Sequence, residues 1–159
     1  MADEFEQTKR QANLIVRGLK HNENNKTSIL NMMTKGLDLK VTEQDIKFVV
    51  KIVLKNEMPD TDSLKVAFHD SRLRDEVYAR RLKLKGTHVF ISEDLTLKRS
   101  ELAFQARKYV RTTPNASSWT SNGHIYLKDS QDDKPRIIHH KTDLKPADNA
   151  PLVSSDRGF

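Results

Sequence analysis

Residues 12–92 alternate short apolar runs with amphipathic stretches, and the lengths of those runs leave few folds open. Asn13–Leu19 (NLIVRGL) is too short for a buried helix and rich in branched side chains, so it reads as a strand, ended by Gly18. Thr27 reads as an N-cap, and Ile29, Leu30, Met33 and Leu37 recur at helical spacing, which predicts a helix over 27–37. Thr42-Glu-Gln-Asp45 resembles a capping box and predicts one helical turn. Residues 46–54 (IKFVVKIVL) form a second strand, and the Pro59, Asp60 and Asp62 cluster a turn. Leu64–Phe68 is a third strand. Asp70 or Ser71 then caps a helix running to Leu84, with Leu73, Val77 and Leu84 as its buried stripe beside Tyr78 and Leu82. Gly86 suits the position after a helix end, and His88–Ile91 is a fourth strand.

The order is β-α-β-β-α-β, the split βαβ or ferredoxin-like arrangement of an α+β domain. Two helices cover one face of a four-stranded antiparallel sheet and leave the other open, as in an RNA-recognition motif. A long helix over 95–111 follows, burying Leu95, Leu102, Ala106, Tyr109 and Val110. Ser121-Asn122-Gly123 is a hairpin turn signal, because Asn-Gly tolerates positive φ at both central positions. His124–Leu127 returns from it, and Arg136–His139 supplies a third strand. The expected organisation is a polar segment 1–11, frayed helix or disorder; an RNA-recognition-motif-like domain 12–92; a helix-plus-hairpin domain 93–144; and a disordered tail 145–159.

Charge narrows the class of partner. Between Arg72 and Arg111, eleven Lys/Arg face five acids, a net +6 that equals the excess of the whole 159-residue chain. Such concentration points to a polyanion, although charged helix faces are also commonly just solvated. No cysteine is present, which excludes disulfides, thiolate catalysis and zinc fingers and fits a reducing, intracellular compartment, cytoplasmic or nuclear. The N-terminus is charged, without a signal-peptide core, and no apolar run approaches the roughly 20 residues that span a bilayer. Five glycines leave little room for a phosphate-binding loop. No metal-binding His/Glu helix or nucleophile elbow occurs. The expectation is therefore a protein without enzymatic activity, cofactor, metal or small-molecule substrate.

The candidate nucleic-acid contacts are basic. On the open face of the sheet, strand alternation exposes Arg17 and Lys65, and places Lys51 beside Val49. Arg and Lys thus stand where base-stacking aromatics are common, which shifts affinity toward phosphate contacts. The alternative is that the long helix or the hairpin unit covers this face. Arg80, Arg81, Lys83 and Lys85 cluster at the end of the second helix, where they also oppose its dipole. Lys98, Arg99, Arg107, Lys108 and Arg111 line the third. Trp119 reads either as a base-stacking residue or, since a small unit needs a large anchor, as its core. Phe90 is open in the same way. Glu93-Asp94 read as a cap for the helix that follows. His139 and His140 alternate across a strand and make poor joint metal ligands.

The stretch LKGTHVFISEDLTLKRSELAFQARKYVR resembles the join between the RNA-recognition-like and C-terminal domains of first open-reading-frame proteins of LINE-type retrotransposons. NLIVRGL and LKVAFHDSRLRDEVYARRLKLKG resemble the first strand and the third strand plus second helix of that domain. The hairpin region SSWTSNGHIYLKDSQDDKPRIIHHKTDL more closely resembles the C-terminal domain of baculovirus few-polyhedra proteins, which share the LKG…EDLT…R…L pattern. The resemblance covers about residues 12–144. It implies a coiled coil ahead of residue 12, trimeric in the retrotransposon proteins, of which only the last turns are present, and through it self-association. It also implies a cleft between two small domains that holds single-stranded nucleic acid. The expected function is a non-enzymatic, mostly sequence-independent binder of single-stranded RNA or DNA. The alternative is a viral-type protein-interaction adaptor.

Overall fold

The computed structural model describes residues 2–145; the tail expected to be disordered lies, from residue 146 on, outside the described residues. The chain is α+β, with two antiparallel sheets, and divides into two units at Leu95/Thr96. No helix among the described residues is long and apolar enough to cross a membrane.

The first unit contains β1 (Asn13–Lys20), β2 (Ile46–Ile52), β3 (Thr61–Phe68) and β4 (Phe90–Glu93), hydrogen-bonded in the order β2-β3-β1-β4. Helices α2 (Asn25–Asn31) and α3 (Ser71–Ala79) follow β1 and β3. Leu14, Val16, Leu64, Val66, Phe68 and Ile91 of the strands pack with Ile29, Met33 and Val77 of the helical segments in one core. Each such side chain contributes roughly 1.5–3 kcal/mol when fully buried.

Several local expectations change. Asn24, not Thr27, caps α2, its side chain accepting from the Thr27 backbone N–H at 3.0 Å. The segment then continues through Met32–Gly36 as a π-helical turn. Thr42–Asp45 does form one turn, a 3₁₀ turn, with the Thr42 N–H donating to the Asp45 carboxylate at 2.8 Å. Gly18 does not end β1: it sits at a register shift with φ +86°, where a Cβ would run into the His88 carbonyl oxygen. After α3 the chain tightens into a 3₁₀ turn, Arg81–Leu84, which buries Leu84 but turns Leu82 outward, 74 % exposed.

The polar N-terminal segment is ordered. Helix α1 (Ala2–Thr8) buries Gln7, whose side-chain amide donates to the Asp94 carbonyl at 3.0 Å. Arg10 and Asn13 both donate to the Asp94 carboxylate, at 2.9 and 3.0 Å.

In the second unit, α4 (Leu97–Thr112) precedes a three-stranded sheet of β5 (Ser117–Ser121), β6 (His124–Lys128) and β7 (Arg136–Ile138). The β5–β6 hairpin turns at Asn122 (φ 52°) and Gly123 (φ 81°), as the Asn-Gly signal predicts. Ile125, Leu127 and Ile138 on one sheet face and Leu102, Ala103 and Ala106 of α4 are the buried apolar residues of this unit. Thr96 caps α4, accepting from the Arg99 N–H at 3.2 Å. Glu93 and Asp94 therefore do not cap it: each is buried against cations of the first unit.

Candidate nucleic-acid interface

Register decides what the helix-free face of the first sheet presents. Directly paired residues of an antiparallel sheet share a face. Ile15 pairs with Lys65 and Ser92, Arg17 with Phe90, and Val50 with Lys65, all opposite the core positions Leu14, Val16, Leu64 and Val66. A bulge between Ile46 and Phe48 reverses the parity of β2. Phe48, Val50 and Ile52 thus join the helix-free face, whereas Val49 and Lys51 turn to the helix-covered side. The expected pairing of Lys51 with Val49 on the open face is overturned for this reason. Lys51 instead lies at the core rim, 3.2 Å from the buried Asp62 carboxylate, which also meets His21 Nδ1 at 2.9 Å. Burial is the largest influence on Asp62 and raises its pKa, but the His21 and Lys51 hydrogen bonds and the Lys51 charge outweigh it and hold the carboxyl below its usual range.

The helix-free face is consequently more aromatic than the sequence suggests: Phe90 is 66 % exposed and Phe48 39 %. Phe48 was invisible in sequence because IKFVVKIVL fits either parity. Arg17 is exposed and makes no salt bridge among the described residues, whereas Lys65 reaches the Asp94 carboxylate at 3.5 Å.

The basic run after α3 is split. Arg80 donates to the Leu37 and Asp38 carbonyls at 3.1 and 3.0 Å and to the Glu76 carboxylate at 3.0 Å, tying α3 to the loop after α2. Arg81 donates to the Tyr78 carbonyl at 2.9 Å and stacks over the Tyr78 ring at 3.9 Å. Lys83 and Lys85 are exposed and form no salt bridge among the described residues.

On α4, Arg99 donates to the Gly123 carbonyl at 2.8 Å and so helps hold the hairpin turn. Arg107, Lys108 and Arg111 share the solvent face with Phe104 at i, i+3, i+4 and i+7 spacing. The Arg107 and Lys108 cations lie 5.9 and 5.8 Å from the Phe104 ring centroid. Lys98 is exposed on the flank of the helix. None of these four cations makes a salt bridge among the described residues. Sequence reasoning missed Phe104 as well as Phe48, and the spacing of Phe104 to the three cations was the signal for it.

Behind α4, Asp129 joins the Tyr109 hydroxyl at 2.9 Å to a forked contact from Arg136. Burial raises the Asp129 pKa, but the Arg136 and Tyr109 hydrogen bonds prevail and lower it overall. Burial and the neighbouring Asp129 push the Tyr109 hydroxyl up. The His139 and His140 backbone N–H groups donate to the Asp143 carboxylate at 2.9 and 3.0 Å. No group of three or more His, Cys, Asp or Glu with metal-binding geometry occurs among the described residues. Compared with known proteins, the chain matches no family model and no curated protein.

Proposed function

We propose that this protein is a non-enzymatic, intracellular binder of single-stranded nucleic acid, RNA by preference, of the kind encoded by retrotransposon first open reading frames. The observation that carries this reading is the outer face of α4, where Arg107, Lys108 and Arg111 surround Phe104 with no carboxylate pairing them among the described residues. Cations free of internal partners can neutralise phosphates, and an exposed ring can accept a base. Lys83, Lys85 and Arg17 in the first unit have the same freedom. The strand order β2-β3-β1-β4, with α2 and α3 on one face, supports a ferredoxin-like, RNA-recognition-motif-like first domain.

The test is anisotropy of a labelled single-stranded RNA across a salt series, beside single-stranded DNA and duplex. Three engaged cations give a slope of log K against log salt of about −2. Absence of binding at low salt, or a slope near zero, overturns the reading.

One observation favours a second reading, a protein-interaction adaptor: Phe48, Val50 and Phe90 present apolar surface to solvent. Pull-down from nuclease-treated lysate separates the two, since an adaptor keeps its partners and a nucleic-acid binder loses them.

A further inference from the structure

Trp119 does not anchor the core of the second unit. Across the hairpin, Ser118 pairs with Leu127 and Thr120 with Ile125, which fixes the buried face; Trp119 pairs with Tyr126 on the other. The two rings lie nearly parallel, 8° between planes and 5.7 Å between centroids. His124 meets Tyr126 edge-on at 6.5 Å. Ile137 pairs with Tyr126 from β7, and Lys128 stands one row along β6 opposite Ser117. Trp119, Tyr126, His124 and Lys128 are all partly buried and keep some surface in solvent.

Two further facts indicate what this ledge would accept. The Trp119 indole N–H and the Tyr126 hydroxyl have no hydrogen-bond partner among the described residues, although both groups normally find one when they serve a core. In addition, β5, β6 and β7 contain no Asp or Glu. The strands of this face therefore carry no acidic side chain while Lys128 adds a cation, which suits an anionic polymer with planar groups and disfavours an acidic peptide.

We infer that the Trp119–Tyr126 pair is a base-stacking platform for single-stranded nucleic acid, with Lys128 placed for an adjoining phosphate. The inference rests on the nucleic-acid reading above and assigns a site that the basic residues alone do not define. Stacking is sequence-tolerant because every base offers a π-face, so the platform adds affinity without base choice.

Trp119 is the only tryptophan, so its emission reports on this site alone. The full chain is titrated with a short fluorescein-labelled oligouridylate, following label anisotropy, and with the unlabelled strand, following tryptophan emission. The expected result is quenching that saturates together with the anisotropy isotherm. Tyr126→Ser and Trp119→Ser each weaken binding roughly tenfold, while Tyr126→Phe and Trp119→Phe stay near the parent. The ring-retaining variants keep the test decisive if either serine variant fails to fold, as circular dichroism would reveal. The slope against salt is unchanged in the ring variants and shallower in Lys128→Gln. If anisotropy reports binding while tryptophan emission does not move, the platform is refuted and the nucleic-acid reading survives. Equal quenching by an abasic strand also refutes stacking. Quenching by a proline-rich peptide but not by the oligonucleotide makes the ledge a peptide-docking face instead. No anisotropy change at low salt removes both proposals together.

Discussion

Arg74 and Arg80, in and just after α3, and Arg107 and Arg111 of α4 look alike in sequence and are used in opposite ways. Arg74 is only 2 % exposed, its guanidinium held by the fully buried Glu93 carboxylate at 2.9 Å, by Asp75 at 3.1 Å and by the Asn13 carbonyl at 3.3 Å. Arg80 is committed to two backbone carbonyls and Glu76. Arg107 and Arg111, by contrast, face solvent around Phe104. A count of positive charge treats all four equally. Only those without an internal carboxylate or carbonyl partner can exchange condensed counterions for contacts on a polyanion, so Arg74 and Arg80 serve the fold, whereas Arg107 and Arg111 remain available for the proposed binding.

Stability measurements put that contrast at risk. Arg74→Met should have the largest effect, about 3–5 kcal/mol, because it removes the guanidinium from the buried Glu93 carboxylate 2.9 Å away; a denaturant midpoint close to the parent's would refute the internal role. Arg80→Ala should remove about 1–2 kcal/mol by freeing the Leu37 and Asp38 carbonyls, with little change in the salt slope of RNA binding. If the slope falls and stability holds, Arg80 belongs with the binding cations instead.

A smaller effect should appear at the extremes of pH in the second unit. Asp129 is held below its ordinary value of about 3.9, so its contribution is complete above that value and disappears as pH falls through the lower folded pKa. Tyr109 is held above its ordinary value of about 10, so its contribution is complete below that and is lost as pH rises through the folded pKa. Melts of the parent and Asp129→Asn should therefore differ most near neutrality and converge in acid; parallel curves would contradict the linkage. At the bottom of the scale, joint replacement of Arg107, Lys108 and Arg111 by Gln should leave the melt within about 0.5 kcal/mol per site. The same variant should make the salt slope for single-stranded RNA shallower by about 0.7 per lost phosphate contact.

Much of the architecture was legible from pattern. The short apolar runs at Asn13, Ile46 and Leu64, the helical spacing of Ile29 and Met33, and the Asn122-Gly123 turn all identify elements that the structure contains, and the strand expected over His88–Ile91 lies two residues later, at Phe90–Glu93. The faces of those elements were less legible. In β2 a single bulged residue exchanges Lys51 for Phe48 on the helix-free side, and no alternation in IKFVVKIVL forbids either parity. For Trp119 the size argument favoured the core, but Ile125, Leu127 and Ile138 already fill it. At Glu93 and Asp94, proximity to a helix start suggested capping, whereas their partners are Arg74, Arg10 and Lys65, remote in sequence or across strands.

By itself, the sequence determined that this chain is α+β, where most of its strands and helices lie, and that its net excess of positive charge falls between Arg72 and Arg111. Those properties follow from local periodicity, turn chemistry and residue type, which act over a few neighbours. The tertiary structure alone decided which cations are neutralised internally and which aromatics face outward. Both depend on strand register and on carboxylates brought within about 3 Å from distant positions, and no local pattern encodes such meetings.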